Sequence, residues 1–258
     1  MKYLICLDLD GCVLSDEKTV SQELIDTIKL CKQNGCIIAF NTTRNFNRVK
    51  KYLPLLEPDY TNCLCGCLVR KSNGEELFNK KIPSTELQKV FNILNNYKEL
   101  NLACSEWTDE EFVTDKDYAK RHNKKCLNKE ELQKIDSYKL IYLFENNIDE
   151  KILNKIRQLD LNITLSQKNK YLRIMPNQDK WNGIEIILKD LNIDNLKIIS
   201  FGNDHTDIQT IKNSHVGVAM INSTEELLSV AKNITEFNNN ESGIAKYLKN
   251  YLKKEGVI

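Results

Sequence analysis

Apolar positions along the chain follow two periodicities that alternate. Tyr3-Leu4-Ile5-Cys6-Leu7 is an unbroken apolar run that stops at Asp8, the pattern of a buried strand. Ser21 then stands as the cap of a helix whose apolar face is Leu24, Ile25, Ile28 and Cys31, and Gly35 ends it. Cys36-Ile37-Ile38-Ala39-Phe40 reads as a second buried strand, followed by Asn41-Thr42-Thr43-Arg44 and a helical stretch to about Leu53. Strand, helix and strand with near-continuous apolar strands predict a parallel sheet with right-handed crossovers. Asn73-Gly74 marks a turn, read as a hairpin.

The texture changes around Pro83. Leu87, Val90, Phe91 and Leu94 repeat at i, i+3, i+4 and i+7, and Thr85 with Gln88 has capping-box spacing. Strands are expected near 101–106, 138–145, 161–166 and 171–175, with a helix near 149–158. The parallel pattern then resumes. Ile184, Ile187, Leu188 and Leu191 form a helix face, and Leu196-Lys197-Ile198-Ile199-Ser200-Phe201 a strand. Asn238-Asn239-Asn240 reads as a loop before the last helix. The expected fold class is α/β, a Rossmann-like parallel-sheet core with an inserted α+β cap subdomain. Residues 1–81 and 177–258 make the core, and 82–176 the cap.

Composition narrows the function classes. With 258 residues, 41% hydrophobic and 28% charged, the chain has the apolar content of a folded protein. Lys+Arg at 37 against Asp+Glu at 36 leaves a formal charge of +1, so no global field attracts nucleic acid or an anionic membrane. Lys50-Lys51, Lys80-Lys81 and Arg121-His122-Asn123-Lys124-Lys125 read as solvated surface. No apolar run approaches 18 residues, and the opening run is too short for a signal-peptide core, so a cytoplasmic protein is expected. The nine cysteines are an odd number and are read as free thiols of a reducing compartment. Cys63, Cys65 and Cys67 alternate, which places them on one face of a strand. Neither they nor His122, His205 and His215 have zinc-ligand spacing.

Three polar clusters fall at the carboxyl ends of expected strands, where open α/β sheets bind ligands. Asp8-Leu9-Asp10-Gly11 puts two carboxylates on the same side by strand periodicity, suited to a shared Mg²⁺ or one held proton. Thr42-Thr43-Arg44 offers hydroxyls and backbone N–H groups for phosphate oxygens. Phe201-Gly202-Asn203-Asp204-His205-Thr206-Asp207 gathers oxygen ligands for a hard cation, with Asp204 also a plausible helix cap. Upstream of a helix, Lys180 could neutralise a phosphoryl group. Taken singly, each cluster is equally what a solvated turn or a capped helix start carries.

In their order and spacing these clusters resemble the haloacid dehalogenase-like superfamily, and within it the Cof-type sugar-phosphatase branch. Asp8-Leu9-Asp10-Gly11-Cys12 matches its D-x-D-G-T opening, and Asn41-Thr42-Thr43-Arg44 faces its A-T-G-R. Lys180-Trp181-Asn182-Gly183 matches its lysine before a glycine, and Gly202-Asn203-Asp204-His205-Thr206-Asp207 faces its G-D-x-x-N-D. Val216-Gly217-Val218-Ala219-Met220-Ile221-Asn222 and Glu241-Ser242-Gly243 are also similar to that branch. The likeness spans both core segments and is much weaker in the cap.

The resemblance implies a Mg²⁺-dependent phosphatase of small phosphorylated metabolites, sugar phosphates first among them. Asp8 would attack phosphorus, and Asp10 would act as general acid and then base. Mg²⁺ would sit on the Asp8 carboxylate, the Asp10 backbone carbonyl and the Asn203 side chain, with Asp204 as second choice. Thr42 and Lys180, with Thr43 and Thr206 nearby, would bind substrate, and Asp207 would orient Lys180 or a metal-bound water. The cap would close over the site and choose the leaving group. Cys12, Thr43, Asn203 and Thr206 depart from the family residues threonine, glycine, aspartate and asparagine. Two alternatives follow. A phosphomutase would need several cap arginines, and only Arg121, Arg157 and Arg173 lie between 82 and 176. A phospho-ligand binding protein with little turnover is motivated by Asn203.

Overall fold

The computed structural model describes residues 2–94, 100–106, 111–132, 134–144, 147–166 and 170–258. Strands β1 (Tyr3–Leu7), β2 (Ile37–Asn41), β3 (Tyr60–Cys63), β4 (Leu68–Lys71) and β5 (Glu76–Asn79) lie in the first segment. Strands β6 (Leu100–Glu106), β7 (Glu111–Val113), β8 (Lys125–Cys126), β9 (Lys139–Phe144), β10 (Leu161–Ser166) and β11 (Tyr171–Pro176) follow. The last segment holds β12 (Lys197–Gly202), β13 (Val216–Ala219) and β14 (Asn233–Ile234). The longer helices are α1 (Gln22–Gln33), α2 (Ser84–Leu94), α3 (Glu150–Ile156), α4 (Lys180–Leu191) and α5 (Gly243–Lys254). They divide into two compact units, Met1–Asn79 with Asp179–Ile258, and Lys80–Gln178.

The first unit is built on one sheet in the order β14-β13-β12-β1-β2-β3-β4-β5. From β14 to β3 neighbouring strands are parallel, and β4 and β5 add an antiparallel hairpin through the Asn73-Gly74 turn. Every residue of β1 is buried, which is why its sequence does not alternate. Leu4, Cys6, Ala39 and Ile198 pack against Ile184 and Ile187 of α4 on one face. On the other, Phe201 meets Tyr247 of α5 edge-on at 5.6 Å, and Tyr3 meets Tyr251 at 6.4 Å. β1 and β12, far apart in the chain, thus lie side by side in the interior of the sheet.

The second unit has its own sheet, ordered β10-β11-β9-β6-β7-β8, antiparallel except for the pair β7 and β8. Leu87, Val90, Phe91 and Leu94 of α2 and Leu153 and Ile156 of α3 pack on Leu140, Tyr142, Phe144, Leu172 and Ile174 of the sheet. The α2 face is the one its periodicity predicts. Residue 145, the end of one expected strand, lies outside the described residues.

Three local expectations are corrected. Cys63, Cys65 and Cys67 do not share a strand face, because Leu64–Gly66 is a tight turn with left-handed φ at Leu64, Cys65 and Gly66. The chain reverses there, and β3 and β4 pair antiparallel with Cys63 opposite Leu68. Thr85 lies inside the first turn of α2 rather than capping it, since the Glu86 and Leu87 N–H groups already reach the Pro83 carbonyl. The helical stretch after Arg44 is three short pieces, Phe46–Val49, Lys50–Tyr52 and Leu53–Leu56; Pro54 lacks the N–H that a continuous ladder needs.

Candidate active site

The carboxyl ends of β1 and β12 bring Asp8, Lys180 and Asp207 together. Asp8 follows the last residue of β1, is 4% exposed, and donates its N–H to the Phe201 carbonyl at 3.3 Å. Lys180 is the first residue of α4, whose start is fixed by a capping box between Asp179 and Asn182. Its Nζ donates to Asp8 Oδ1 at 2.7 Å and to Asp207 Oδ1 at 2.6 Å, and all three side chains are buried. Asp207 Oδ2 accepts the backbone N–H groups of Asn203 at 3.0 Å and Asp204 at 3.2 Å. The loop after β12 is thereby folded around Asp207. Gly202 permits this, since a Cβ there would stand 2.4 Å from Asp207 Cβ.

Charge and burial oppose each other at this triad. Burial pushes the Asp8 carboxyl up, Asp207 adds to the rise, and Lys180 only partly offsets it, leaving Asp8 at about 7. Burial works against the Lys180 cation, yet Asp207, Asp8 and Asp204 outweigh it and hold Lys180 well above the ordinary lysine range. Three carboxylates therefore surround one ammonium group. Burial, with the charges of Asp8 and Asp207, raises the Cys12 thiol well above the usual range.

Asp10 has different partners. It is half-exposed, and Arg44 grips it with Nε on Oδ2 at 2.6 Å and Nη2 on Oδ1 at 2.7 Å. Lys18 Nζ adds a bond to Oδ1 at 2.9 Å. Burial alone would raise Asp10, but the bonds and charges of Arg44 and Lys18 prevail and bring it down to about 2. The two carboxylates expected to share a cation are thus each held by separate ones. Tyr52 completes the clamp, its hydroxyl 3.3 Å from Arg44 Nη1 and donating to the Lys18 carbonyl at 3.4 Å.

Thr42 is buried at the end of β2, donating its N–H to the Asn62 carbonyl at 2.8 Å, while its Oγ1 accepts from the Arg44 N–H at 3.2 Å. Thr43 beside it is half-buried. Asn203 lies against Gly11, where a Cβ would come within 2.2 Å of the amide and φ is +72°. Asp204 caps the following turn, its Oδ1 accepting the Thr206 N–H at 2.7 Å and the Thr206 hydroxyl at 2.6 Å. Burial would raise the Asp204 carboxyl; Lys180 and the Thr206 bonds outweigh it and lower it. The Thr206 hydroxyl is thereby directed to Asp204.

Sequence reading did not foresee the support beneath Lys180. Asn62, fully buried in β3, donates to the Lys180 carbonyl at 2.8 Å and to Asn41 Oδ1 at 2.7 Å. Gly183 makes room for it, since a Cβ there would lie 2.1 Å from Asn62 Oδ1. β3 itself, Tyr60–Cys63, carries Thr61 and Asn62 and has no apolar run to mark Asn62 as buried. The roles of Arg44 and Lys18 toward Asp10 were equally unassigned.

Residues 5–248 match the family model of the haloacid dehalogenase-like hydrolases. The chain belongs to that family. Across haloacid dehalogenase-like hydrolases it is similar to the 5-amino-6-(5-phospho-D-ribitylamino)uracil phosphatase YitU of Bacillus subtilis strain 168, 24% identical over 276 residues that cover 96% of this chain and 97% of YitU. Among solved structures, the phosphatase BT1666 from Bacteroides thetaiotaomicron superposes with a TM-score of 0.83 at 23% identity, over 100% of this chain and 96% of that one. The subclass IIB sugar phosphatase BT4131 superposes with a TM-score of 0.79 at 18% identity, over 99% and 100%. These likenesses establish the α/β fold with its mostly parallel sheet, and the family makes the chain a hydrolase. No helix among the described residues is long and apolar enough to cross a membrane.

Proposed function

We propose that this hydrolase is a Mg²⁺-dependent phosphatase of small phosphorylated metabolites, sugar phosphates in particular, working through an aspartyl-phosphate on Asp8. The observation that carries the reading is the buried Asp8 at the end of a central strand, on the same ammonium group that Asp207 holds. An Asp8 oxygen forms a bond to phosphorus as the ester P–O bond breaks, and the leaving oxygen takes a proton from Asp10. Water then gives a proton to Asp10 and attacks phosphorus, the acyl-phosphate bond breaks, and phosphate departs from the regenerated Asp8. In this reading Lys180 and the backbone around Thr42 and Thr43 hold the transferring oxygens. Arg44 and Lys18 keep Asp10 in the proton-accepting form that the second half-reaction uses, so Asp10 must exchange these partners to act as acid in the first. The choice of leaving group is assigned to the inserted segment, 82–176.

The donor set fits a hard divalent cation. Asp8, Asp204 and Asp207 leave an excess of negative charge around Lys180, and a cation beside Asp8 would favour the ionised carboxylate that a nucleophile needs. Among the described residues no group of three or more His, Cys, Asp or Glu is arranged to hold a metal by itself. The Asp8 carboxylate, the Asp10 carbonyl and the Asn203 amide oxygen would hold Mg²⁺ with the help of water. We assign Asn203 rather than Asp204, because Asp204 is committed to its cap. When bound, the ion would neutralise charge on the phosphoryl oxygens. Asn203→Asp adds a carboxylate to this set, and isothermal titration is expected to show Mg²⁺ binding about 10-fold tighter or more. An unchanged affinity would remove Asn203 from the site.

The deciding experiment is phosphate release from a panel of sugar phosphates and an aryl phosphate, with Mg²⁺ and with a chelator. Metal-dependent turnover is the expected result. Saturable binding of a sugar phosphate without release would replace the phosphatase reading with that of a binding protein.

A further inference from the structure

Away from the site, the C-terminus of α1 ends in a local geometry that brings two cysteines together. Gly35 is left-handed at φ +78°, its N–H bonds to the Lys32 carbonyl at 3.0 Å, and the Cys36 N–H bonds to the Cys31 carbonyl at 3.0 Å. This crossed pair of bonds is the Schellman ending, which sets the residue after the glycine against the third residue from the helix end. Those two residues are here Cys36 and Cys31. Both are free thiols, and both are buried. The pair is buried but lies directly beneath Gln33, Asn34 and Gly35, all exposed, and nothing stands within 4 Å of where a Gly35 side chain would be.

We propose that Cys31 and Cys36 form a reversible redox pair, closing to a disulfide that ties the end of α1 to the start of β2 when the protein meets a peroxide. The Schellman ending sets the two residues against each other, the proximity that a disulfide requires. The two sulfurs are not equivalent. Cys36 is 5% exposed and Cys31 fully buried, so Cys36 is the sulfur that a peroxide reaches first. Cys36 is therefore the attacking sulfur and Cys31 the resolving one. The Cys36 thiolate attacks one oxygen of hydrogen peroxide, the O–O bond breaks, and hydroxide leaves to become water, giving a sulfenic acid. Cys31 sulfur then attacks the Cys36 sulfur, its proton joins the departing hydroxyl, and a second water leaves. Two thiols and one peroxide thus yield one disulfide and two waters. The pair sits at the amino end of β2, whereas Thr42 follows its carboxyl end, so the staple acts on stability and leaves the catalytic residues untouched.

The test uses the full-length protein, reduced, freed of reductant and exposed to hydrogen peroxide. Remaining thiols are alkylated in denaturant before peptide mapping. Before alkylation the expected product is about 2 Da lighter than the reduced chain; after it, Cys31 is found crosslinked to Cys36, with Cys6 and Cys63 alkylated. Its melting temperature should rise by roughly 2–8 °C and fall back with dithiothreitol. Cys31→Ala should lose both the crosslink and the rise, and trap Cys36 as a sulfenic acid that reacts with dimedone. Recovery of Cys31 and Cys36 both alkylated, at a peroxide dose that oxidises the exposed Cys126, overturns the proposal. So does a crosslink from Cys36 to any other cysteine.

Discussion

Asp8→Asn is expected to abolish phosphate release, by about 10³-fold or more, while leaving a folded protein that is at least as stable as the parent at neutral pH. The loss of rate follows from removing the atom proposed to attack phosphorus. The gain in stability follows from burial. The folded-state carboxyl is raised to about 7, above its ordinary 3.8, so between those values the folded chain binds more protons than the unfolded one. Stability must then fall as pH rises through that window, and become level above it. The amide that replaces this carboxyl in the variant has no such titration. Urea unfolding from pH 4 to pH 8 should therefore show a descending slope in the parent that is shallower in the variant. A variant that still releases phosphate at a few per cent of the parent rate would place the nucleophile elsewhere.

Lys180→Met has the opposite signature, with activity and stability lost together. The substitution keeps much of the aliphatic stem but leaves Asp8 and Asp207, both buried, facing each other without a cation. Removing one partner of a buried ion pair costs about 3–5 kcal/mol. Trp181, the next residue of α4, supplies a fluorescence signal for the measurement. The deficit should be largest above the Asp8 value of about 7, where that buried carboxylate carries charge, and shrink toward acid as Asp8 takes up its proton. A loss under 1 kcal/mol at pH 8 would contradict the burial and pairing described for Lys180.

Much of the core was legible because its signals are local. The unbroken apolar runs of β1 and β2 and the mostly apolar β12 announce strands covered on both faces, and the i, i+3, i+4, i+7 repeat of α2 names the residues it buries. Ser21 and Asp204 act as caps through atoms two or three positions along the chain, so their roles can be read from neighbours alone. The site is different in kind. Asp8 and Lys180 are 172 positions apart, and Arg44 finds Asp10 across 34. No periodicity encodes such pairings; only the order of strands in the sheet does. The mistaken reading of Cys63, Cys65 and Cys67 has a related cause. An alternating pattern is silent about a left-handed turn at Leu64 and Cys65, which non-glycine residues rarely adopt.

The position of β1 between β2 and β12 also bears on how the protein is made. Synthesis delivers β1 to β5 first, so β2 and the hairpin beyond it can pair with one side of β1 while the other side still has no strand to meet. The inserted unit, Lys80–Gln178, must be translated before β12 closes that side. Until then Asp8 stands at the end of an open strand edge, without Lys180 or Asp207. Until β12 arrives, that open edge is the segment a ribosome-associated chaperone would have to shield. Asp8 is synthesised before the inserted unit, and Lys180 and Asp207 after it.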